Sequence, residues 1–494
     1  MSDTPPPSQT PTAAELLLER RRRRRAAAKR WAWRSSLGAA ALTLLFAFAV
    51  YWLIATIAGR DLLLAQIVAR LPADSSFTWK AAEGPLSGPL TLRGVRFAYK
   101  KTVFTADRVY FDPALRPLLG RKLRLDALQV ENATLDIEKS DKPFELPRWP
   151  EVLPQIEPPL AMQADDVRID GFKVSQAGEH IIDVRHLRGG LDAQSGKVKV
   201  EKLDADTDRG HFTVHGSYEP RKDFKTDLVA TAVLPSARGR TPPRLGLIAR
   251  GDLSRMDVAL AGAAPGPVRV SLTLRGKDDP SWQVHARSDA LDIGLLTSPE
   301  AAPSATPMAL RFDASGIGGK ADLNGEFRQG DLAVTVLPSK LSLKDQVLDV
   351  QPLALRLFDG TATLRGHADF TDADNGQFKF SINARGLTWG GKVAPTTLKS
   401  VAKPAQVAKT PDTPAVTLES ADLGFAGTVK AWAAIGNARL VRDKQAATVE
   451  FDGRGNDQRM SLKTLKAKMP TGLLDGSGDV VWAPKLAWDF KATL

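Results

Sequence analysis

The residues whose types could support chemistry are the histidines and the acids that precede two of them. His211 and His215 share one face of an alternating strand, and three aspartates stand at positions 204, 206 and 208. The aspartate run does not match a calcium loop, because its sixth position is Arg209 and its twelfth is His215, where Gly and Glu are required. The two histidines lie opposite Phe212 and Val214, on the polar face. Solvated histidines are the simpler interpretation, so we expect no metal and no cofactor.

Other catalytic motifs give no stronger signal. The run 316–321 matches G-x-G-x-x-A, but no crossover helix follows it, so a dinucleotide site is not expected. The sequence has no cysteine, which excludes disulfides, thiolate ligands and thiol nucleophiles. It also has no Walker loop, nucleophile elbow or histidine-based metal motif. Acids are abundant, so a dispersed carboxylate pair remains the third alternative, and we predict that the chain is not an enzyme.

Alternation with a period of two dominates the chain from Phe77 onward and predicts an all-β fold. Examples are the apolar pair Val198 and Val200 and the run Phe378, Phe380 and Ile382. Turn signals such as Asn375-Gly376 separate such runs. We predict a long, curled, mostly antiparallel sheet that forms an open trough. At about 12 residues per strand and turn, it would have about 35 strands and a length on the order of 170 Å.

A motif of two glycines six residues apart recurs within these strands. Its instances begin at Gly88, Gly210, Gly319, Gly360 and, more weakly, Gly472. Both glycines lie on the apolar face of their strand, where a missing side chain lets the sheet bend or another group approach. The copies are irregularly spaced, so the motif is a recurring strand type and not a solenoid repeat. Ordinary punctuation of a β-sandwich is the alternative.

The N-terminal region predicts a membrane anchor. Residues 35–59 carry no charge and are long enough for a transmembrane helix, with Arg34 and Arg60 at its two ends. Residues 1–34 hold nine cations against three acids, and we expect this disordered, basic segment to be cytoplasmic. The apolar run is longer than a signal peptide requires, and no clear cleavage site follows it. The basic run has its simplest use as a topology signal and a contact with anionic lipid.

Residues 60–494 are predicted to form one elongated periplasmic β-domain. Their 59 cations nearly balance their 53 acids, so the net charge of +12 is mostly local to the N-terminus, and we expect no nucleic-acid partner. Residues 143–159 contain six prolines and cannot form a central strand, so we expect an extended segment along an edge or across a groove. Residues 390–414 read as a mobile loop.

Several stretches resemble the AsmA-like superfamily, and within it the N-terminal part of TamB, the inner-membrane component of the translocation and assembly module. The resemblance is carried by the N-terminal span, the proline-rich crossing, and four short stretches of strand-like sequence. These stretches are WKAAEGPLSGPLTLRGVRF at 79–97, ALRPLLGRKLRLDALQVENATLDI at 114–137, ADDVRIDGFKV at 164–174 and GLLDGSGDVVWAPKLAW at 472–488.

This resemblance implies a trough with an apolar inner face, phospholipid transport between the inner and outer membranes, and a link to outer-membrane biogenesis and protein assembly. The implied partners are the inner membrane and phospholipid acyl chains. An outer-membrane barrel protein is the implied partner of a C-terminal domain that follows many more residues than this sequence has. We therefore expect either the N-terminal part of a longer protein or a short relative.

Two functions from different classes remain open. The first is a membrane-anchored lipid conduit, and the second is an envelope scaffold that assists outer-membrane protein assembly by strand addition without carrying lipid. For the conduit we predict a lipid-accessible trough, with outward neighbours such as Thr91 and Thr213 on the opposite face. The predicted lining is Leu90, Leu92, Leu125, Val130, Leu135, Phe212, Val214, Leu364 and Phe370.

Overall fold

A computed structural model describes residues 42–46, 48–72, 74–114, 116–117, 122–138, 149–151, 153–158, 161–237, 239–297, 306–372, 375–390, 415–482 and 486–493. The basic segment 1–34 and nearly all of the loop 390–414 lie outside the described residues. The helices are α1 (Leu42–Ala55), α2 (Ile57–Ala69) and α3 (Ile293–Thr297).

The strands, in chain order, are β1 (Ser75–Thr78), β2 (Ala81–Glu83), β3 (Leu90–Tyr99), β4 (Thr102–Ala114), β5 (Lys122–Ile137), β6 (Ala161–Gln176), β7 (Glu179–Gln194), β8 (Lys197–Thr207), β9 (Gly210–Glu219), β10 (Lys225–Val233), β11 (Arg244–Asp252), β12 (Arg255–Ala263), β13 (Pro267–Arg275), β14 (Ser281–Leu291), β15 (Met308–Ile317), β16 (Lys320–Gln329), β17 (Leu332–Lys344), β18 (Val347–Leu357), β19 (Gly360–Asp369), β20 (Gln377–Trp389), β21 (Val416–Thr428), β22 (Ala431–Arg442), β23 (Gln445–Gly455), β24 (Arg459–Met469), β25 (Gly472–Val481) and β26 (Ala487–Thr493).

All these strands belong to one sheet, which confirms the predicted long and mostly antiparallel open sheet. From β3 to β26 each strand pairs with the next along the chain, and β1 and β2 pair with the two halves of β3. The pair β5–β6 is parallel, and the connection between these two strands contains the proline-rich segment. The expected number of about 35 strands is wrong: the described residues form 26, because many strands run 9 to 16 residues before their turn.

The apolar N-terminal helix differs from the predicted single span over residues 35–59. Residues 35–41 lie outside the described residues, and the helix breaks at Thr56, where α1 and α2 meet at 88°. The Thr56 hydroxyl accepts a hydrogen bond from the Gly59 amide at 3.1 Å, so Thr56 caps a new helix. In the described residues no single helix is long and apolar enough to cross a membrane, although Leu42–Ala55 and Ile57–Gln66 satisfy that test together as a bent pair.

Arg60, expected at the end of the span, is followed by nine further helical residues. It lies inside α2 and is only 5% exposed. Its guanidinium donates to the carbonyls of Ala82 and Gly84 at 2.8 and 2.9 Å, and it pairs with Asp61. These bonds attach α2 to the first edge of the sheet, so Arg60 joins the helix to the β-domain.

A line of irregular backbone crosses five neighbouring strands near this end of the sheet. On each strand two inward apolar residues stand three positions apart instead of two, as Leu92 and Val95 do on β3. They stay in register from β3 to β7, and the residues on β3 to β6 contribute to one cluster of packed side chains. The extra residue of a bulge keeps both on the same face. The pairs are Leu92 and Val95, Val109 and Ala106, Val130 and Ala133, Ile169 and Phe172, and Leu187 and Val184.

Prolines inside strands mark further interruptions of the ladder. Pro113, Pro338 and Pro352 each lie at a change of register, on β4, β17 and β18 respectively. Proline cannot donate to a ladder, so bulges are where a central strand accommodates it. Beside Pro338, the Ser339 hydroxyl accepts the Ala354 amide at 2.9 Å and replaces a missing ladder bond. Such bulges bend and twist the strands and favour a curled sheet.

Candidate functional site

An unbroken apolar row crosses the sheet from β3 to β25. Each member faces the next in the strand register except at one step. At that step, a register shift between β7 and β8, Gly189 lies against Leu203, and a Cβ on the glycine would stand 2.7 Å from the Leu203 Cα. Paired positions share a face, so the row marks one continuous surface. Its members are Leu90, Phe111, Leu128, Val167, Gly189, Leu203, Val214, Ala230, Leu247, Leu260, Val270, Ala286, Phe312, Gly325, Val336, Leu355, Ala362, Ala384, Ala421, Ala438, Val449, Ala467 and Leu474.

The surface that carries this row is hereafter the inner face, and the opposite surface is the outer face. Most side chains of the row between β8 and β25 are half-buried. Within the described ranges every strand belongs to the same sheet, so no second sheet covers the inner face. A dry core between two layers would bury these side chains fully. The inner face is therefore an apolar surface that remains partly open to its surroundings.

The first strands differ, because their inner face is closed. A cluster of buried side chains includes Leu90 and Leu92, which are 0% and 5% exposed, and Phe77, Trp79 and Leu86 pack against it. A second buried cluster contains Leu125, which is 9% exposed. These three residues of the predicted lining form the closed beginning of the inner face.

The other predicted lining residues are half-buried: Val130, Leu135, Phe212, Val214, Leu364 and Phe370. Val130 and Leu135 pair with Val109 and Phe104 on β4. Phe212 and Val214 share the inner face of β9, and Leu364 pairs with Ile382 further along the sheet. Phe370 follows the end of β19, and its ring lies 2.5 Å from where a Cβ on Gly376 would stand. The structure thus distributes these residues along the inner face and does not gather them into one pocket.

One of the two outward neighbours differs from expectation. Thr213 lies on the outer face, where its hydroxyl is 2.6 Å from that of Thr231. Thr91 also lies opposite the inner face, but it is only 8% exposed, and it pairs with Glu83 on β2 and Tyr110 on β4. The edge strand β2 and helix α2 come together at this end of the sheet, so Thr91 is not a solvent-facing position.

Some glycines of the inner face lie beside aromatic side chains of the next strand. A Cβ on Gly366 would stand 2.7 Å from the Cδ1 atom of Phe380, and one on Gly478 would stand 2.2 Å from Cδ1 of Phe490. Gly436 lies in the same way against Phe451. Each aromatic ring therefore fills the space that its glycine leaves, which is the close approach that the glycine motif predicted.

Part of the proline-rich segment, residues 149–151 and 153–158, lies against the inner face near its rim. The Tyr218 hydroxyl donates to the carbonyl of Pro154 at 2.8 Å, and Tyr218 shares a face of β9 with Phe212 and Val214. The Gly196 amide donates to the carbonyl of Ile156 at 2.9 Å, and Arg221 pairs with Glu157 at 3.0 Å. Burial raises the pKa of the Tyr218 phenol. This segment is hereafter the strap.

Three histidines each contact a separate aspartate on the outer face. His186 contacts Asp170 at 2.7 Å, His180 contacts Asp208 at 2.7 Å, and the His211 ring lies 3.4 Å from Asp204. Within the described residues no group of three or more histidines and acids could hold a metal ion. The Arg185 guanidinium, by its hydrogen bond, lowers the pKa of Asp206. The aspartates thus serve cross-strand pairs.

Sequence reasoning missed most of the inner face in the middle of the sheet, including Leu247, Leu260, Val270 and Val336. Alternation alone identifies the two faces of a single strand. It does not say which residues of distant strands come into register, and the bulges change the parity from strand to strand. The sequence signal that could have located the bulges is the spacing of three positions between inward apolar residues.

The middle of the chain matches a known protein family. A profile of the family described as "TamB, N-terminal domain" matches residues 139–388, which is about half of the chain. The chain belongs to this family. No curated protein and no solved structure matches it. The match spans β6 to most of β20, so the TamB-like region includes the middle of the inner face. A TamB N-terminal domain built as one open sheet fits, in general terms, a bridge for lipid or protein transport.

Proposed function

We propose that this TamB-like chain is a periplasmic bridge, anchored in the inner membrane, whose inner face carries phospholipid acyl chains towards the outer membrane. The proposal gives it a part in outer-membrane biogenesis and protein assembly and no enzymatic activity. The observation that supports it best is the unbroken apolar row from Leu90 to Leu474 on a single open sheet.

Acyl chains are the cargo that the chemistry of this surface favours. They need no hydrogen-bond partners, whereas a polar cargo would lose hydration against an apolar lining without compensation. A wide apolar surface also needs a ligand or partner in water. At about 4.8 Å per strand, the row from β3 to β25 extends over roughly 110 Å, many times the width of one lipid. Such a surface would hold several acyl chains one after another along its length.

Membrane anchoring is supported by the family and by the exposed apolar surface of α1. Phe46, Phe48 and Tyr51 are each about two-thirds exposed in the structure. In water this exposure would be unfavourable, and a bilayer would remove its cost. The basic residues before the helix favour a cytoplasmic N-terminus. A periplasm-dependent reporter fused after residue 160 should therefore be active, while one fused at residue 10 should be silent.

Photo-crosslinking tests the lipid path directly. A crosslinking amino acid at Val214 should capture phospholipid in cells, and the same group at Thr213 should not. The two positions are adjacent on β9 and differ in the face that they occupy. Equal labelling at both positions, or no lipid at either in a folded protein, would contradict the proposal.

Strand addition is the second candidate, because one feature of β26 favours it. Its residues are exposed throughout, including Trp488 and Phe490, and in the described part of the chain it pairs only with β25. Unpaired edge groups can accept a strand from another protein. If the chain works by strand addition without carrying lipid, the parent protein should capture envelope proteins and show no lipid labelling at Val214. Replacing Lys491 by proline should then abolish the capture of envelope proteins.

A further inference from the structure

Three arginines stand side by side on the outer face in the middle of the sheet. Arg269, Arg287 and Arg311 face one another in register on β13, β14 and β15. Directly opposed residues have Cβ atoms about 4.5–5.5 Å apart, and like charges in this position destabilise a sheet. All three side chains are exposed, and among the residues that the structure describes none of them has an ion-pair or hydrogen-bond partner. The three are hereafter the arginine triad.

Several other arginines of the outer face are paired with acids. Arg250 pairs with Asp227 at 3.1 Å, and Arg275 pairs with Asp257 at 2.8 Å. Further along, Arg439 pairs with Glu419 at 2.6 Å. Some arginines on either side of the triad therefore have acidic partners, whereas the triad places three unpaired guanidinium groups side by side.

The triad also borders a depression of about 710 Å³ on the outer face. Small side chains form its floor, among them Ala259, Ala261 and Ser271. The register partner of Arg269 on β12 is Ala261, and its small side chain leaves room above the sheet. The site is thus a shallow basin with a row of guanidinium groups along one side.

Acids near the basin do not neutralise it. Asp313 is the acid in its lining, and it is already bonded to His285, with 2.5 Å between Oδ1 and Nδ1. Glu326 faces Arg311 in register on β16 but forms no ion pair with it in the described structure. Asp289, two residues beyond Arg287 on the same face of β14, is a second exposed carboxylate beside the triad, so three guanidinium groups face two free carboxylates.

We propose that this basin binds a phosphate group, with the arginine triad as its ligands. The planar guanidinium donates two parallel hydrogen bonds to an oxyanion, which suits phosphate better than a lysine would. A bound dianion would also remove the repulsion among the three cations. The site lies on the opposite face from the acyl-chain path, so it is independent of the proposed lipid transport.

The phosphate could belong to a soluble molecule or to a lipid headgroup. The triad begins ten strand steps from β3, a distance of roughly 48 Å at 4.8 Å per step. A headgroup of the anchoring membrane reaches it only if the sheet lies along that membrane. Inorganic phosphate and vesicles of equal parts phosphatidylglycerol and phosphatidylcholine separate the two sources, with pure phosphatidylcholine vesicles as the blank.

The test measures binding and thermal midpoint for the full chain and for matched variants. Arg287→Gln should weaken binding at least tenfold and abolish the rise in midpoint that the ligand causes. Arg250→Gln removes the same charge from a paired arginine and should change binding less than twofold. Arg287→Lys should fall between the parent and Arg287→Gln, because it keeps the charge and loses the bidentate geometry. Glu326→Gln should tighten binding.

Relief of repulsion provides a second measurement. Without ligand, Arg287→Gln should have a midpoint at or above that of the parent, because it removes two like-charge contacts. Binding of either phosphate or the anionic vesicles with this variant pattern supports the site and identifies the source. An equal loss of binding in Arg287→Gln and Arg250→Gln would show general charge attraction and would overturn the proposed site. Absence of binding to both probes would also overturn it.

Discussion

Asn132 on β5 and Gly171 on β6 lie side by side, and both have a left-handed backbone, with φ of 49° and 74°. The Asn132 side chain also donates to Asp107 on β4 at 3.0 Å. Gly94, with φ of 60°, holds the corresponding place on β3. These residues lie between the inward apolar residues that stand three positions apart. The left-handed positions therefore produce the line of bulges across the strands, hereafter the bulge line, and the inner face stays apolar before and after the bulge line.

Replacing Gly171 by alanine should therefore destabilise the protein by about 1–2 kcal/mol, because a left-handed conformation is unfavourable for residues with a Cβ. The new Cβ would also stand 3.1 Å from the Asn132 Oδ1 atom. Urea denaturation measures the change in the free energy of unfolding. Gly472→Ala is the matched control, since its Cβ would meet nothing within 4 Å, and it should be neutral or slightly stabilising. Equal effects at the two sites would contradict this account of the bulge line.

An acidic residue on the inner face should act differently at its closed beginning and along its open part. Leu92→Asp places a charge in a buried cluster and should cost about 4 kcal/mol or more, on the order of the largest single-residue effects. Val214→Asp replaces a half-buried side chain that can rehydrate, and we expect a cost of about 1–2 kcal/mol.

The two variants also separate stability from transport. If the inner face carries lipid, Val214→Asp should reduce lipid capture at a crosslinker on Leu364 while the protein stays folded by circular dichroism. Val229→Asp, on the outer face of β10 in register with His215, is the control and should leave capture unchanged. Full capture in folded Val214→Asp would count against a continuous path.

Much of this fold was readable from the sequence because alternation depends on local pattern alone. The two faces of β9 follow from Phe212 and Val214 without any knowledge of neighbours. The helix break at Thr56 was not predicted, because a single threonine within an uncharged apolar run does not by itself indicate a helix cap. The arginine triad was also missed: Arg269, Arg287 and Arg311 are far apart in sequence, and only the register of β13 to β15 brings them together.

Acid should weaken the attachment of the β6–β7 turn to β5. The Ser175 hydroxyl, at 2.7 Å, and then the Gly178 amide, at 3.1 Å, donate to the Asp136 carboxylate and lower its pKa. A lowered pKa in the folded state stabilises the protein above the pKa of the unfolded state, about 4. That contribution is lost as the pH falls through the lower folded value.

The variant Asp136→Asn should lose this part of the pH dependence. Urea midpoints measured from about pH 6 down to about pH 3 should therefore fall less steeply for Asp136→Asn than for the parent protein. Ser175→Ala should give an intermediate slope, because it removes the larger of the two causes and keeps the Gly178 bond. Parallel curves for all three proteins would show that Asp136 does not contribute.

The strap should depend on the Tyr218 hydroxyl more than on its ion pair. Tyr218→Phe removes the bond to the Pro154 carbonyl, a loss of about 0.5–1.5 kcal/mol for a typical hydrogen bond. Arg221→Gln removes a pair in which both side chains are more than half exposed, and such pairs contribute about 0–1 kcal/mol. Burial raises the pKa of Tyr218, so the phenol of the parent keeps its proton to higher pH than a free phenol does.

Amide hydrogen exchange at Gly196 reports on the strap, because this amide donates to the Ile156 carbonyl. Its exchange should accelerate about 2- to 12-fold in Tyr218→Phe, which is the change in rate that corresponds to losing about 0.5–1.5 kcal/mol of hydrogen-bond free energy. The acceleration should be clearly smaller in Arg221→Gln. The Leu253 amide, bonded to Asp223 in the next turn along the same rim, is the internal reference and should not change. An unchanged rate at Gly196 in Tyr218→Phe would mean that contacts other than the phenol hold the strap on the inner face.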